Sequence, residues 1–127
     1  MTNDHHRHHD HYFCHCFVHL RQVPVYCATK AALHSFTLSL RHQLRETSVR
    51  VIEIIPPAVN TDLGGSGKHT FGVPLDEYAD GTLKGLNEGL LEVPYGFSAK
   101  TSQASRAELD GIFGVINTNV AAAVKSE

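Results

Sequence analysis

Tyr26 and Lys30 have the residue types and the spacing that acid–base chemistry requires. Residues four apart on an α-helix lie on the same face, one turn apart, so a phenol and an ammonium group stand side by side. A free tyrosine has a pKa of about 10, and a neighbouring cation favours the phenolate form. A tyrosine in that setting acts as a general acid or base toward a hydroxyl or carbonyl group. The pair is therefore our candidate catalytic site.

The elements that must position this pair follow it directly. An amphipathic helix is predicted over residues 25–46, and its apolar stripe is expected in a core or an interface: Leu33, Phe36, Leu40 and Leu44. A β-branched strand from Val49 to Ile55 comes next, and its apolar run is typical of a parallel strand covered on both faces. Two prolines end the strand and begin a turn that reaches Thr61.

This order of helix, strand and turn resembles the short-chain dehydrogenase/reductase family. In that family a Tyr-x-x-x-Lys helix leads into a strand and a Pro-Gly-x-Val-x-Thr-like loop, and the resemblance spans residues 24–97. It implies the C-terminal half of a Rossmann-like, doubly wound parallel-sheet α/β fold, mostly helical here with one or two strands. It also implies hydride transfer between NAD or NADP and a small-molecule alcohol or carbonyl substrate, with Tyr26 and Lys30 as catalytic residues.

The resemblance also implies where the cofactor lies. Tyr26 and Lys30 would meet it, with Lys30 bonded to the nicotinamide ribose, and so would the loop at the carboxyl end of the strand, where open α/β sheets bind ligands. The backbone near Val59 and the Thr61 hydroxyl would face the nicotinamide. Pro57 stands where the family has glycine, and proline fixes φ and removes an N–H donor. The Gly-rich segment 63–70 occupies the place of the family's substrate lid.

Other functional residues of the family have no counterpart ahead of Tyr26. No glycine precedes Gly64 and no serine precedes Ser35, so the sequence lacks the pyrophosphate-binding turn and the catalytic serine there. The chain has 127 residues, whereas single α/β domains commonly run to about 200–250. We therefore expect a truncated dehydrogenase that is inactive alone and does not bind NAD or NADP tightly.

Residues 1–23 have a different composition, and we expect them to be disordered or unrelated to the partial domain at 24–118. Seven of the ten histidines lie between His5 and His19. Zinc could be bound by the four side chains His11, Cys14, Cys16 and His19. Cys-x-Cys is tighter than the usual ligand spacing, so we assign no metal site, and a His-rich metal-binding module remains an alternative function.

Charge and composition exclude several classes of protein. The net charge is −2 and the pI is about 6.5, which gives no basis for binding nucleic acid or an anionic membrane. No apolar stretch approaches a membrane span of about 20 residues, and no signal peptide is apparent. Three cysteines, an odd number, indicate free thiols and a reducing, cytoplasmic compartment.

The C-terminal third predicts two more helices. Pro74 begins one, whose apolar face is expected to be Leu75, Ala79, Leu83, Leu86 and Leu90. Glycines repeat every four residues on another stripe, at positions 81, 85 and 89, as close packing or marginal stability would explain. A break at 94–97 suits a short edge strand. Ser105 and Glu108 have the spacing of a capping box that opens the last helix, and residues 119–127 are expected to fray.

Two further interpretations stay open beside the dehydrogenase. The helix at 25–46 could pair with a full-length relative, which would make the chain a non-catalytic assembly partner. The family resemblance itself implies a homodimer or tetramer through the same helix. The chain could also be a truncated gene product without a function.

Overall fold

Four helices and two short strands make up the part of the protein that the structure describes. The computed structural model describes residues 16–62, 65–66 and 72–125, with side chains up to residue 118. The elements in chain order are α1 (Pro24–Gln43), β1 (Glu53–Ile55), α2 (Leu75–Asn87), β2 (Glu92–Pro94), α3 (Phe97–Ser102) and α4 (Arg106–Lys125). None of the helices in the described residues has the length and apolar character that crossing a bilayer requires.

The two strands are parallel neighbours, with Glu53 opposite Glu92 and Ile55 opposite Pro94. Parallel strands need a crossover connection, and α2 lies in that connection, which makes a β–α–β unit. The predicted α/β class with a small parallel sheet is confirmed. β1 holds only the last three residues of the strand expected at 49–55, and Ile54 is 48% exposed, so within the described residues the strand is not covered on both faces.

The core is small and draws its side chains from the segment before α1, from α1 and from the two strands. Its buried apolar side chains are Val18, Leu20, Cys27, Ile55 and Val93. The stripe expected to pack in α1 is largely outside this core, because Leu33 is 54% and Phe36 is 60% exposed. Val18 and Leu20 come from the segment before α1, so this segment contributes to the packing of the fold.

Helix α2 buries a different face from the one its leucines predict. Leu75 and Leu83 are exposed, whereas Thr82 and Gly85 are buried. A Cβ on Gly85 would lie 2.7 Å from Val93 Cγ1, so only a glycine lets β2 approach this closely. Gly89 lies beyond the helix with φ +81°, a left-handed conformation that favours glycine. Close packing therefore explains the buried glycine, and turn geometry explains Gly89.

The capping box that the sequence predicts is present at the start of α4. Glu108 Oε2 accepts hydrogen bonds from the backbone N–H and the hydroxyl of Ser105, each at 2.7 Å. These bonds, the backbone one first, hold the pKa of the Glu108 carboxyl below its usual value. The box fixes the first turn of a helix that continues to Lys125.

Candidate active site

The first turn of α1 carries the candidate acid–base residue. Pro24 lies at the start of the helix, where its missing N–H costs no intrahelical bond. The first helical hydrogen bond runs from the Cys27 N–H to the Val23 carbonyl at 3.0 Å and closes this turn. Cys27 is 2% exposed and fixes which face of the turn points inward. Tyr26, its neighbour, is 46% exposed, so its side chain is accessible to a ligand.

Tyr26 and Lys30 are in contact. Lys30 Nζ lies 5.3 Å from the centroid of the Tyr26 ring, within the range of a cation–π interaction. The spacing of four residues on one helix produces this contact, as the sequence predicts. The ammonium group meets the face of the ring. In the same turn, the Thr29 hydroxyl donates a hydrogen bond to the Tyr26 carbonyl at 2.7 Å.

The other three candidate residues share the loop that leaves the carboxyl end of β1. Pro57, Val59 and Thr61 are all half-buried there. Val59 forms an isolated parallel bridge with Val73, made by Asn60 N–H to the Val73 carbonyl and Val73 N–H to the Ala58 carbonyl, each at 2.9 Å. The structure thus brings Tyr26 to Lys30, and it brings Pro57, Val59 and Thr61 into one loop. The two groups lie on different elements.

Asn60 is a residue of this loop that sequence reasoning missed. Its Oδ1 accepts the Gly72 N–H at 2.7 Å, so the two ends of the connection from 60 to 72 are fastened together. A Cβ on Gly72 would lie 2.5 Å from the Ala58 carbonyl oxygen, which only glycine avoids. The signal in the sequence was present, since asparagine is favoured in turns for its backbone-bonding side chain, but its partner lies 12 residues away.

Helix α1 and β1 are joined by a polar contact. His34 Nδ1 lies 2.8 Å from Glu53 Oε2, and both side chains are mostly buried. The Phe17 ring packs edge-on against the His34 ring at a centroid distance of 4.8 Å. This contact joins the helix that carries Tyr26 to the strand that leads into the loop with Pro57, Val59 and Thr61.

The histidine-rich segment lies largely outside the described residues, and so do His11 and Cys14 of the candidate zinc ligands. Cys16 is half-buried and His19 is exposed. Residues 16–62, 65–66 and 72–118 contain no group of three or more His, Cys, Asp or Glu side chains that could hold a metal ion.

Comparison with known proteins decides the family. Residues 14–70 match the model of the short chain dehydrogenase family. Over 104 residues the chain is 47% identical to a protein of Bacillus subtilis (strain 168) named as the uncharacterized oxidoreductase DltE. The chain belongs to the short-chain dehydrogenase family. The match covers 78% of this chain and 41% of the Bacillus protein, so the chain spans less than half of that relative. No solved structure matches the chain.

Membership of the short-chain dehydrogenase family agrees with the β–α–β unit and with the position of the loop after β1. The matched residues include α1, β1 and that loop, whereas α2, β2, α3 and α4 follow them. Tyr26, Lys30, Pro57, Val59 and Thr61 all fall within the matched residues.

Proposed function

We propose that this chain supplies the acid–base helix of an NAD(P)-dependent oxidoreductase that transfers hydride between an alcohol and a carbonyl group. The observation that carries the proposal is the contact of Lys30 Nζ with the Tyr26 ring, 5.3 Å from its centroid, in a chain of the short-chain dehydrogenase family. The Tyr26 hydroxyl would hold and move the proton of the substrate oxygen. The Lys30 ammonium would stabilise the negative charge on Tyr26 when that proton leaves.

The loop after β1 fits the nicotinamide end of NAD or NADP. Its bridge uses the N–H groups of Asn60 and Val73 and the carbonyls of Ala58 and Val73. In a parallel bridge the N–H and carbonyl of the central residue, Val59, are directed to the opposite side, where they could pair with a carboxamide. Thr61 would add a hydroxyl, and Lys30 would bind the ribose. Bound NAD or NADP supplies or accepts the hydride.

The first test is a fluorescence titration of NADPH and NADH into the 127-residue chain. We expect no saturable binding below about millimolar, a dissociation constant equivalent to roughly 4 kcal/mol, because no Gly-rich turn precedes Tyr26. Saturable micromolar binding would contradict that expectation, and Tyr26→Phe would then be assayed in the chain itself.

Catalysis is tested in a chimera that carries residues 24–97 of this chain in the matching segment of the Bacillus relative. NAD(P)H oxidation is measured with a panel of aldehydes and ketones. Tyr26→Phe should lower kcat by about 10²–10⁴-fold, the usual worth of a general acid. Tyr78→Phe is the matched control, since Tyr78 lies on α2 and packs on Tyr95. An active chimera that is insensitive to Tyr26→Phe would refute the proposed role.

The exposed face of α1 supports a second candidate function, association with another copy or a full-length relative. Val25, Leu33 and Phe36 are between 54% and 76% exposed, and large exposed apolar side chains on one element mark interaction surfaces. We expect light scattering to find a homodimer or tetramer that Phe36→Lys dissociates. Ser35→Lys adds the same charge at the next exposed position and should leave the assembly intact. A monomer in the wild-type chain, with no relative captured, would contradict this function.

A further inference from the structure

The segment 19–21 is held by helix α4 through one side chain, that of Asn117. Asn117 Oδ1 accepts the Arg21 N–H at 2.8 Å, and its Nδ2 donates to the His19 carbonyl at 2.9 Å and to the Phe113 carbonyl at 2.9 Å. A side-chain amide has two N–H donors and one acceptor oxygen, and each of them is used here. The orientation of the amide is therefore fixed by its partners.

Leu20, which lies between His19 and Arg21, is bonded to the start of α1 instead. Leu20 N–H donates to Cys27 Sγ at 3.2 Å, and the Leu20 carbonyl accepts the Val23 N–H at 3.2 Å. The Leu20 side chain is buried. Residues 19 and 21 are thus bonded to Asn117 of α4, whereas Leu20 between them is bonded to Cys27 of α1. Cys27, which receives Leu20 N–H, directly follows Tyr26.

The first turn of α1 needs this support. Its N-cap residue, Val23, provides no side-chain cap, and the first N–H groups of a helix have no intrahelical partner. Uncapped helix ends open with a low free energy. The 19–21 segment is the neighbour that holds the turn, and Asn117 holds the far side of that segment.

We propose that Asn117 is a positioning residue for Tyr26. From α4 it fixes the 19–21 segment, which fixes Cys27 and with it the turn in which Tyr26 meets Lys30. The inference rests on the proposed function, because it gives Asn117 a role in catalysis only if Tyr26 is the acid–base residue. Asn117 lies outside residues 14–70, the part that matches the family model.

The test uses the full chain with Asn117→Ala and two NMR measurements. Amide hydrogen exchange at Arg21 and through the first turn of α1 should accelerate about fivefold, the equilibrium equivalent of the one hydrogen bond that the Arg21 N–H loses. The ring-current shift of the Lys30 ε-methylene protons, which reports the Tyr26 contact, should move toward its value in Tyr26→Leu. Thr118→Ala is the control, because Thr118 donates to the Gly114 carbonyl of its own helix and should change neither signal.

Asn117→Asp distinguishes the bond that Asn117 accepts from the Arg21 N–H from the bonds that it donates. It also replaces Asn117→Ala if the alanine variant does not fold. Its carboxylate keeps an acceptor for Arg21 N–H and loses both donors, so Arg21 should stay protected while the Lys30 shift moves part of the way. A Lys30 shift that stays at its wild-type value in both variants would overturn the proposal, whatever happens to exchange. Failure of the proposed function gives a different result, because the activity of the chimera would then not change when Tyr26 is replaced by phenylalanine.

Discussion

Helix α1 reaches the two strands through long polar side chains, whereas helix α2 lies against β2 and the residue after it, Tyr95, at glycines. His34 bonds Glu53, and Arg41 donates to the Leu91 carbonyl at 2.9 Å and to Glu92 Oε1 at 3.2 Å. Arg41 also donates to the Val51 carbonyl at 3.2 Å. The arginine therefore connects α1 to Glu92 of β2 and to the backbone that leads into each strand.

The α2 contact has no polar link of this kind at its centre. A Cβ on Gly81 would meet the Tyr95 ring at 2.1 Å, and a Cβ on Gly85 would meet Val93 Cγ1 at 2.7 Å. Tyr95 is held in place because its hydroxyl donates to Glu77 Oε1 at 2.9 Å and its ring packs edge-on against Tyr78. The side chains of Tyr95 and Val93 therefore pack directly on the backbone of α2.

The difference follows from the register of the strands. Glu53 and Glu92 are Cα partners, and like charges placed opposite each other on neighbouring strands repel. His34 and Arg41 on α1 each bind one of the two carboxylates, so polar side chains from α1 pair with both of them on this side of the sheet. The α2 side buries Val93, and the helix residue that faces it, Gly85, must have no side chain. Charge changes should therefore disturb the α1 contact, and volume changes the α2 contact.

The largest effect is expected from Gly85→Ala. Its new methyl group would collide with Val93, a buried β-branched side chain that cannot swing aside. Overpacking costs about 1–3 kcal/mol, and the gain in helix propensity offsets up to about 1 kcal/mol. We expect urea denaturation to show a net loss of about 1–2 kcal/mol in the free energy of unfolding.

Gly111→Ala on α4 is the matched control for that prediction. A Cβ there has nothing within 4 Å, so only the propensity gain applies, and the chain should be stabilised by up to about 1 kcal/mol. Equal stabilisation by both alanines would show that the α2 contact is loose and would remove the contrast between the two helices.

The α2 contact also shows how far the sequence predicts the fold. Alternating helices and strands, the helix after Pro74 and the capping box at Ser105 follow from local rules, and the structure has all three. The face of α2 does not, because leucine periodicity indicates the most apolar stripe, while the position of β2 decides which stripe is buried. Gly81 and Gly85 were visible as a repeat, but their partners, Tyr95 and Val93, lie too far along the chain for spacing to identify.

A smaller effect is expected from Arg41→Ala. It removes three hydrogen bonds and leaves Glu92 beside Glu53 without its cation, although both Arg41 and Glu92 are partly exposed and water replaces some of the loss. The expected loss in the free energy of unfolding is about 1 kcal/mol, and it should shrink in high salt, which screens the two carboxylates.

Arg106→Ala is the control for Arg41→Ala, because Arg106 forms an ion pair with Asp110 on the surface of α4. Exposed pairs of this type contribute about 0–1 kcal/mol. If Arg41→Ala cost no more than Arg106→Ala, the polar contact would be a surface feature and α1 would need another anchor.

The candidate site shows a second limit of the sequence. The contact of Tyr26 with Lys30 follows from one helical turn, so spacing alone predicts it. Asn117 and Asn60 act at separations of 96 and 12 residues, and no periodicity joins them to their partners. Local chemistry is readable from this chain, but the residues that position it depend on how α4 and the connection after β1 fold back.

The smallest effect is expected from raising the pH. The hydrogen bond to Glu77, then burial and the charges of Glu77 and Asp80, raise the pKa of Tyr95 above its ordinary value. A group with a raised pKa in the folded state stabilises the fold fully below its unfolded pKa, about 10 for tyrosine, and that stability is lost as pH rises through the folded value. The free energy of unfolding should therefore fall in alkaline solution, because ionised Tyr95 repels the Glu77 carboxylate.

Tyr95→Phe keeps the ring over Gly81 and should flatten this decline in the free energy of unfolding, while Tyr78→Phe should retain it. An unchanged decline in Tyr95→Phe would assign the alkaline loss to another group and would show that the Tyr95–Glu77 hydrogen bond adds no stability to the glycine packing of α2.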